Sequence, residues 1–281
     1  MTTSAGAGLL DLAARLSLPL VVVDVGARWG AGSQWHGLGE AVVVVGFEPD
    51  VVECARLNAE DSTVRYVPVA LGAHDGTATL HVTVDPACAS LYPPIAGLPK
   101  SRPGLDVTTE GHVAVVPIAR LDTWLADSGL GPVDVMKLDT QGSELDVLRG
   151  AGQALASVRL LEVEVEFNPI YEGQPLFGDV DAFLRARGFV LWRLGDLAHY
   201  GLADAPSGDV DLAERQHYDV QTVSVPGRGG QLFWGHAYYV ASDMAFPDHR
   251  DDDEGLLRDA CAATAFGFTD LAASLLARRR H

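Results

Sequence analysis

The stretch "LVVVDVGARWGAG" (residues 20–32) sets one acid, Asp24, inside an apolar run that opens into a loop with glycines at 26, 30 and 32. A glycine loop after a buried strand lets the backbone approach a ligand. A pyrophosphate site would read G-x-G-x-x-G, whereas this loop reads Gly26-Ala-Arg-Trp-Gly30-Ala-Gly32. An acid ahead of the first glycine also repels phosphates. Asp24 suits a ligand carrying positive charge, such as the ammonium and sulfonium of S-adenosylmethionine. The next apolar run ends "VVGFEPD" and brings a second acid, Glu48, near the ~20-residue offset of a ribose-binding carboxylate. Such a carboxylate accepts hydrogen bonds from both ribose hydroxyls. Each feature alone fits a tight turn or a helix cap; together they point to an adenosyl cofactor without a pyrophosphate.

Further along, "VDVMKLDTQGSE" supplies Asp139, Gln141 and Glu144. Glu144 opens a helix, where an acid favours the macrodipole, but Asp139 closes an apolar strand, where a small or apolar residue is expected. "LEVEVEFNP" puts Glu162, Glu164 and Glu166 on one face by its period of two. Three buried like charges need partners, and Lys137, alternating with Asp139, offers one. Glu166 and Asn168, nearest the strand's carboxyl end, are the better active-site candidates. The nine histidines show no HxxxH or HExxH spacing and the three cysteines no CxxC, so a zinc site is not expected. His36, His81, His199 and His236 read as structural. Carboxylates with Gln141 and Asn168 around a hard Mg²⁺ are the less favoured alternative, and no residue is assigned as a metal ligand.

The elements that must position these groups alternate. Buried strands are expected at 20–25, 41–48, 64–71, 133–139, 158–167, 189–194 and 230–240, and a half-exposed antiparallel strand at 76–84. A helix after "GFEP" places Val51, Cys54, Ala55 and Asn58 on one face with Pro49 in its first turn. "SELDVLRGAGQAL" and "GDVDAFLRARG" are further helices. Residues 85–112, rich in Pro, Gly and Ser, form an irregular segment of the kind that is functional or disordered. Leu9, Leu12 and Leu16 mark an amphipathic helix in residues 1–19, ahead of a main domain over 20–250, and 251–281 read as a helical extension. Strands alternating with helices imply an α/β fold with a mostly parallel sheet covered on both faces.

The 281 residues are 48% hydrophobic and 21% charged, an ordinary globular balance. No apolar run approaches a membrane span, and the N-terminus lacks a signal-peptide pattern. Three scattered cysteines suit a reducing cytoplasm. The net charge of −18 argues against nucleic acid, no membrane partner is expected, and a homodimer stays open.

The motifs "VVDVGARWG", "VVGFEPD", "VALG", "TLHVT" with "ASLY", "ARLDTWL", "DVMKLDTQGSELDVLRGA", "EFNPIYEGQPLFGDVDAFLRARGF" and "GQLFWGHAYYV", in this order, resemble the FkbM family of S-adenosylmethionine-dependent methyltransferases over about residues 20–240. The resemblance implies a Rossmann-like methyltransferase fold, a seven-stranded sheet with six strands parallel and one antiparallel and helices on both faces. It implies that Asp24, Gly26 and Gly30 line the methionine part of the cofactor, that Glu48 holds the ribose and that Leu71 lies near adenine. It sets Asp139 beside the glycine loop as cofactor contact and catalytic group, with Glu166 the second catalytic candidate. The chain departs from the family in Arg28, where asparagine is frequent, and in Gln141, where glutamate is frequent. Gln141, Asn168 and Tyr171 are the expected acceptor contacts, with Tyr92, Phe177 and Trp234 as further rings for a sugar to stack on. The implied reaction is O-methylation of a sugar, glycan or secondary metabolite. A nicotinamide-dependent oxidoreductase and a non-catalytic cofactor-binding scaffold are the alternatives.

Overall fold

A computed structural model of the chain describes residues 4–203, 214–217, 222–225, 230–246 and 252–278. The Val-rich runs form β1 (Leu20–Val25) and β2 (Val42–Phe47), with α2 (Val51–Glu60) leading to β3 (Val64–Val67); α1 (Ser4–Ala13) precedes them. β7 (Val135–Leu138), α5 (Glu144–Gly150), β8 (Leu160–Glu166), α6 (Phe177–Arg185), β9 (Phe189–Tyr200) and β12 (Gln231–Ala241) continue the alternation. The main sheet runs β3-β2-β1-β7-β8-β12-β9. β12 is antiparallel to both neighbours, so the other six strands share one direction. This is the Rossmann-like methyltransferase arrangement, with a seven-stranded, mostly parallel sheet and helices around it.

The expected third strand, 64–71, divides. Pro68 has no N–H for a ladder, so pairing stops at Val67, and β4 (Ala70–Leu71) joins a second sheet, ordered β4-β6-β5. There β5 (Gly76–Thr83) runs antiparallel to β6 (Glu110–Ala119), a strand the sequence reading leaves out. The segment between them is not loose. It holds short turns, including α3 (Leu98–Ser101), and is pinned by Tyr171 Oη to the Cys88 carbonyl at 2.8 Å, Tyr92 Oη to Asp146 at 2.7 Å and Ile95 N to the Ile170 carbonyl at 3.0 Å. α4 (Leu121–Ser128) returns the chain to the main sheet, and β10 (Glu214–His217) and β11 (Thr222–Val225) form a separate hairpin.

Asp50, rather than Pro49, opens α2: its carboxylate accepts from Val52 N at 2.9 Å and Glu53 N at 3.2 Å. The buried stripe of that helix is Cys54 and Leu57, while Val51 and Ala55 face outward. After α7 (Ser242–Ala245), helices α8 (Asp253–Ala265) and α9 (Thr269–Arg278) follow. Their Leu256, Ala260, Leu271 and Leu275 share one hydrophobic cluster with Leu9 of α1 and the core of the main sheet. Two ion pairs fasten α8 beneath the sheet, Arg159 to Asp259 at 2.7 Å and Arg258 to Asp134 at 2.8 Å. Among the described residues no helix is long and apolar enough to cross a membrane.

Candidate active site

Strand register lays the chemistry out in rows. Tyr66, Gly46, Asp24, Lys137, Glu162, Tyr238 and Arg193 are successive partners across all seven strands, so they share one face. Two residues on, where the parallel strands end, the same face carries Glu48, Gly26, Asp139, Glu164 and His236, the last two directly paired. This second row edges a cavity of about 1390 Å³. Its opposite wall is the second sheet and the pinned segment, through Leu80, Val116, Cys88 and Leu91. The C-terminal end of a mostly parallel sheet is where such folds bind ligands.

Gly26 is required by its place. Its φ is +79°, and a Cβ there would stand 1.8 Å from the Asp139 carbonyl oxygen. The loop therefore turns away directly over the end of β7 and leaves the row open to the cavity. Gly30 does not line the cavity; with φ +84° it lets Ala31 N donate to Tyr66 Oη at 2.9 Å, which locks the loop to β3. Glu48 and Leu71 line the cavity. Glu48 is buried, and its Oε1 accepts from Asp50 N at 2.8 Å. Burial lifts its carboxyl to about 7.

Asp24 lies below the cavity, not on its wall. It is 2% exposed, and Lys137 Nζ, which does line the cavity, stands 3.5 Å from its Oδ1. No hydrogen bond satisfies that oxygen. Burial, with Asp139 and Glu162 nearby, raises its carboxyl to about 6 against the pull of Lys137. Lys137 also reaches Asp139 Oδ2 at 3.4 Å. Burial alone would lower the ammonium's pKa, but Asp24, Asp139 and Glu162 more than reverse that, so the lysine stays charged.

Gln141 knots the centre together. Its Nε2 donates to Asp139 Oδ1 at 3.1 Å and Glu164 Oε2 at 2.6 Å, and its Oε1 meets Tyr171 Oη at 3.0 Å. The backbone adopts φ +58° to aim it there, a left-handed conformation that non-glycine residues hold only where the surroundings enforce it. Burial would raise Asp139, but Lys137 and His236 hold it down at about 2. Glu164, buried and hydrogen-bonded to Asp139, is pushed well up instead. The pair thus keeps its charge on Asp139 and a proton on Glu164. Glu166, 2% exposed, is likewise raised by burial and by Glu144. Glu144 itself holds the turn, its Oε1 accepting from Thr140 N at 2.6 Å and Oγ1 at 3.0 Å.

Two expected acceptor contacts are engaged elsewhere. Asn168 ties down β12, donating to the Leu232 carbonyl at 2.7 Å and accepting from Gln231 at 2.7 Å. Tyr171 is fully buried, so it offers no ring face to a sugar and instead steadies Gln141. Of the other aromatic candidates, Trp234 lines the cavity, whereas Tyr92 bonds Asp146 and Phe177 packs on Phe167. His236 is the group the sequence reading set aside; only strand register, which pairs it with Glu164, reveals it. Among the described residues no three His, Cys, Asp or Glu side chains gather as a metal site.

A family model described as the methyltransferase FkbM domain matches residues 24–191. A 2-O-methyltransferase, NoeI of Sinorhizobium fredii (strain NBRC 101917 / NGR234), is 26% identical over 162 residues, covering 55% of this chain and 66%, just under two thirds, of that protein. Among solved structures, a precorrin-6y C5,15-methyltransferase from Geobacter metallireducens GS-15 aligns with TM-score 0.38 and 9% identity over 84% of this chain and 87% of that one. A 1,6-didemethyltoxoflavin-N1-methyltransferase from Burkholderia thailandensis, solved with S-adenosylhomocysteine, gives TM-score 0.35 and 15% identity over 85% and 79%.

Proposed function

The chain belongs to the FkbM methyltransferase family, and from that premise we propose that it transfers a methyl group from S-adenosylmethionine to a hydroxyl of a sugar, glycan or secondary metabolite. The observation that carries this reading is the row at the strand ends. Glu48 and Gly26 are set side by side on adjacent strands, with Asp139 next along and a cavity above all three.

The residues fit the cofactor. Gly26 clears the floor where a side chain would intrude, Glu48 has a carboxylate to offer a ribose, and Leu71 and Val69 give an apolar slot for adenine. The cavity exceeds the ~300–1,000 Å³ usual for a single ligand, which leaves space for an acceptor as well. When bound, S-adenosylmethionine supplies a methyl already activated by the positive sulfur. The chain does the rest. Asp139 is kept ionised at the reacting end, where a carboxylate favours a cationic donor. Lys137 and Asp24 beneath it fix its position. Glu164, Glu166 and Trp234 form the acceptor side: carboxyl groups pair with sugar hydroxyls, and an indole face packs on a sugar ring. The 2-O-methyltransferase relative and the excess of negative charge favour such an acceptor over a phosphate-bearing polymer.

Calorimetry tests the cofactor half: saturable binding of S-adenosylhomocysteine and none of NAD⁺ is expected, and the reverse overturns the reading. Intact-mass screening of glycosides and glycans for the gain of one methyl tests the acceptor half. Methylation confined to nitrogen, or to RNA, would overturn it.

A further inference from the structure

A hydroxyl acceptor must lose its proton as it is methylated, and the carboxyl groups of the row are poorly suited to take it. Asp139 is bound by Lys137 and by the Gln141 amide, while Glu164 and Glu166 hold protons of their own. Glu48 stands two strands away from Asp139 with one oxygen engaged by Asp50 N, and on the other side, next to Glu164, the row continues in His236. Its Nδ1 lies 2.7 Å from Glu162 Oε1, and the same oxygen accepts from Tyr238 Oη at 3.3 Å. A carboxylate anchored in this way fixes the neutral tautomer with hydrogen on Nδ1 and leaves Nε2, at the other edge of the ring, as an acceptor.

The geometry points to His236 as the proton acceptor of the methyl transfer, with Glu162 as its positioning residue. This rests on the methyltransferase reading above and gives that site its base. As the acceptor oxygen bonds to the methyl carbon, the carbon–sulfur bond breaks with its electron pair left on sulfur. The oxygen–hydrogen bond breaks towards Nε2, and Glu162 balances the imidazolium that forms. The proton then passes to water when product leaves.

The groups facing this ring are Glu162 and Glu164 from β8, Lys137 and Asp139 from β7, and Asp196 from β9, which lines the same cavity. Burial opposes the charged ring, but the bond to Glu162 and the charge of Asp139 outweigh it, so His236 titrates above the ordinary histidine value.

The test follows the ring nitrogens of the full-length protein by NMR against pH, in complex with S-adenosylhomocysteine and then with sinefungin. Sinefungin is the analogue with an ammonium where the methyl would be. A ring facing the methyl position feels that added cation, and its midpoint should drop by about one pH unit or more between the two complexes. Equal midpoints with both ligands bound would overturn the assignment. In Glu162→Gln the midpoint should fall and the fixed Nδ1–H tautomer be lost; an unchanged ring would overturn the role of Glu162. Failure of either ligand to bind the wild-type chain is a different result. It defeats the cofactor reading itself, and this inference with it.

Discussion

Glu48 stands at the end of β2 with one oxygen engaged by Asp50 N and its pKa lifted to about 7 by burial. Ribose hydroxyls donate to the charged form, so binding must displace the proton that Glu48 carries below that pH. Affinity for S-adenosylhomocysteine should therefore fall as pH drops through about 7 and level off above it. Calorimetry in buffers of differing ionisation enthalpy should detect a proton released on binding near neutrality. Glu48→Ala should weaken binding by ~1.5–3 kcal/mol for each charged hydrogen bond lost; a folded variant with wild-type affinity would remove Glu48 from the cofactor site. Asp139 acts differently, since its charge steadies Lys137 and His236. Asp139→Asn should lower turnover ~10²–10³-fold, as loss of one placed electrostatic group does, and weaken binding of cationic S-adenosylmethionine more than that of S-adenosylhomocysteine, whose sulfur is neutral. Its pH–rate profile separates two roles. With His236 as base, the acid limb survives and moves to lower pH, because a negative neighbour has gone. If Asp139 is the base, the limb disappears.

At the scale of elements, the alternating strands were legible because burial leaves near-continuous apolar runs, as in β1 and β2. The three glutamates of β8 were legible as one face because a strand's period is two. What they meet was not, because β12 lies far along the chain and its antiparallel register decides that His236 opposes Glu164. The break at Pro68 and the strand β6 were missed for a related reason: their partners lie in a second sheet that no local pattern announces. Gln141 shows the limit most sharply. As a residue type it only removes a carboxylate; in place, its amide joins Asp139 to Glu164 and receives Tyr171 behind it. Tyr171 also pins the segment over the cavity through the Cys88 carbonyl. Tyr171→Phe removes the one hydroxyl hydrogen that the Cys88 carbonyl and the Gln141 amide oxygen share, which should cost about 1–3 kcal/mol. Urea unfolding should shift accordingly, and protease should cut within residues 86–109 sooner. Unchanged stability and cleavage would mean the segment is held by its apolar contacts alone.

Across the whole molecule, this fold buries carboxyl groups whose protons it must retain. Asp24 is lifted to about 6 and Glu48 and Glu144 to about 7, each chiefly by burial, and burial raises Glu164 and Glu166 as well. The ordinary values are 3.8 for Asp and 4.5 for Glu, so between pH 4 and 8 the folded chain binds more protons than the unfolded one. Stability then decreases as pH rises, because ∂ΔG/∂pH for unfolding follows protons bound unfolded minus protons bound folded. The stability linked to these groups is present at acid pH and lost as pH climbs through about 6 to 7. Raised His236 acts in the same sense, whereas Asp139, held at about 2, changes charge only below this window. The midpoint of thermal unfolding should accordingly be higher at pH 5.5 than at pH 8. The surface charge behind the net −18 pushes the same way by self-repulsion, but salt screens it and reaches buried groups much less. The decline should therefore persist at about 0.5 M salt, where the Debye length is only a few ångströms. Glu164→Gln with Glu166→Gln removes two of the raised groups and should flatten the curve, with its gain in stability greatest at pH 8. A wild-type midpoint that is flat or rising from pH 5.5 to 8 would mean these carboxylates are ionised and paired in the folded protein, and that the acid-retaining character of the site is wrong.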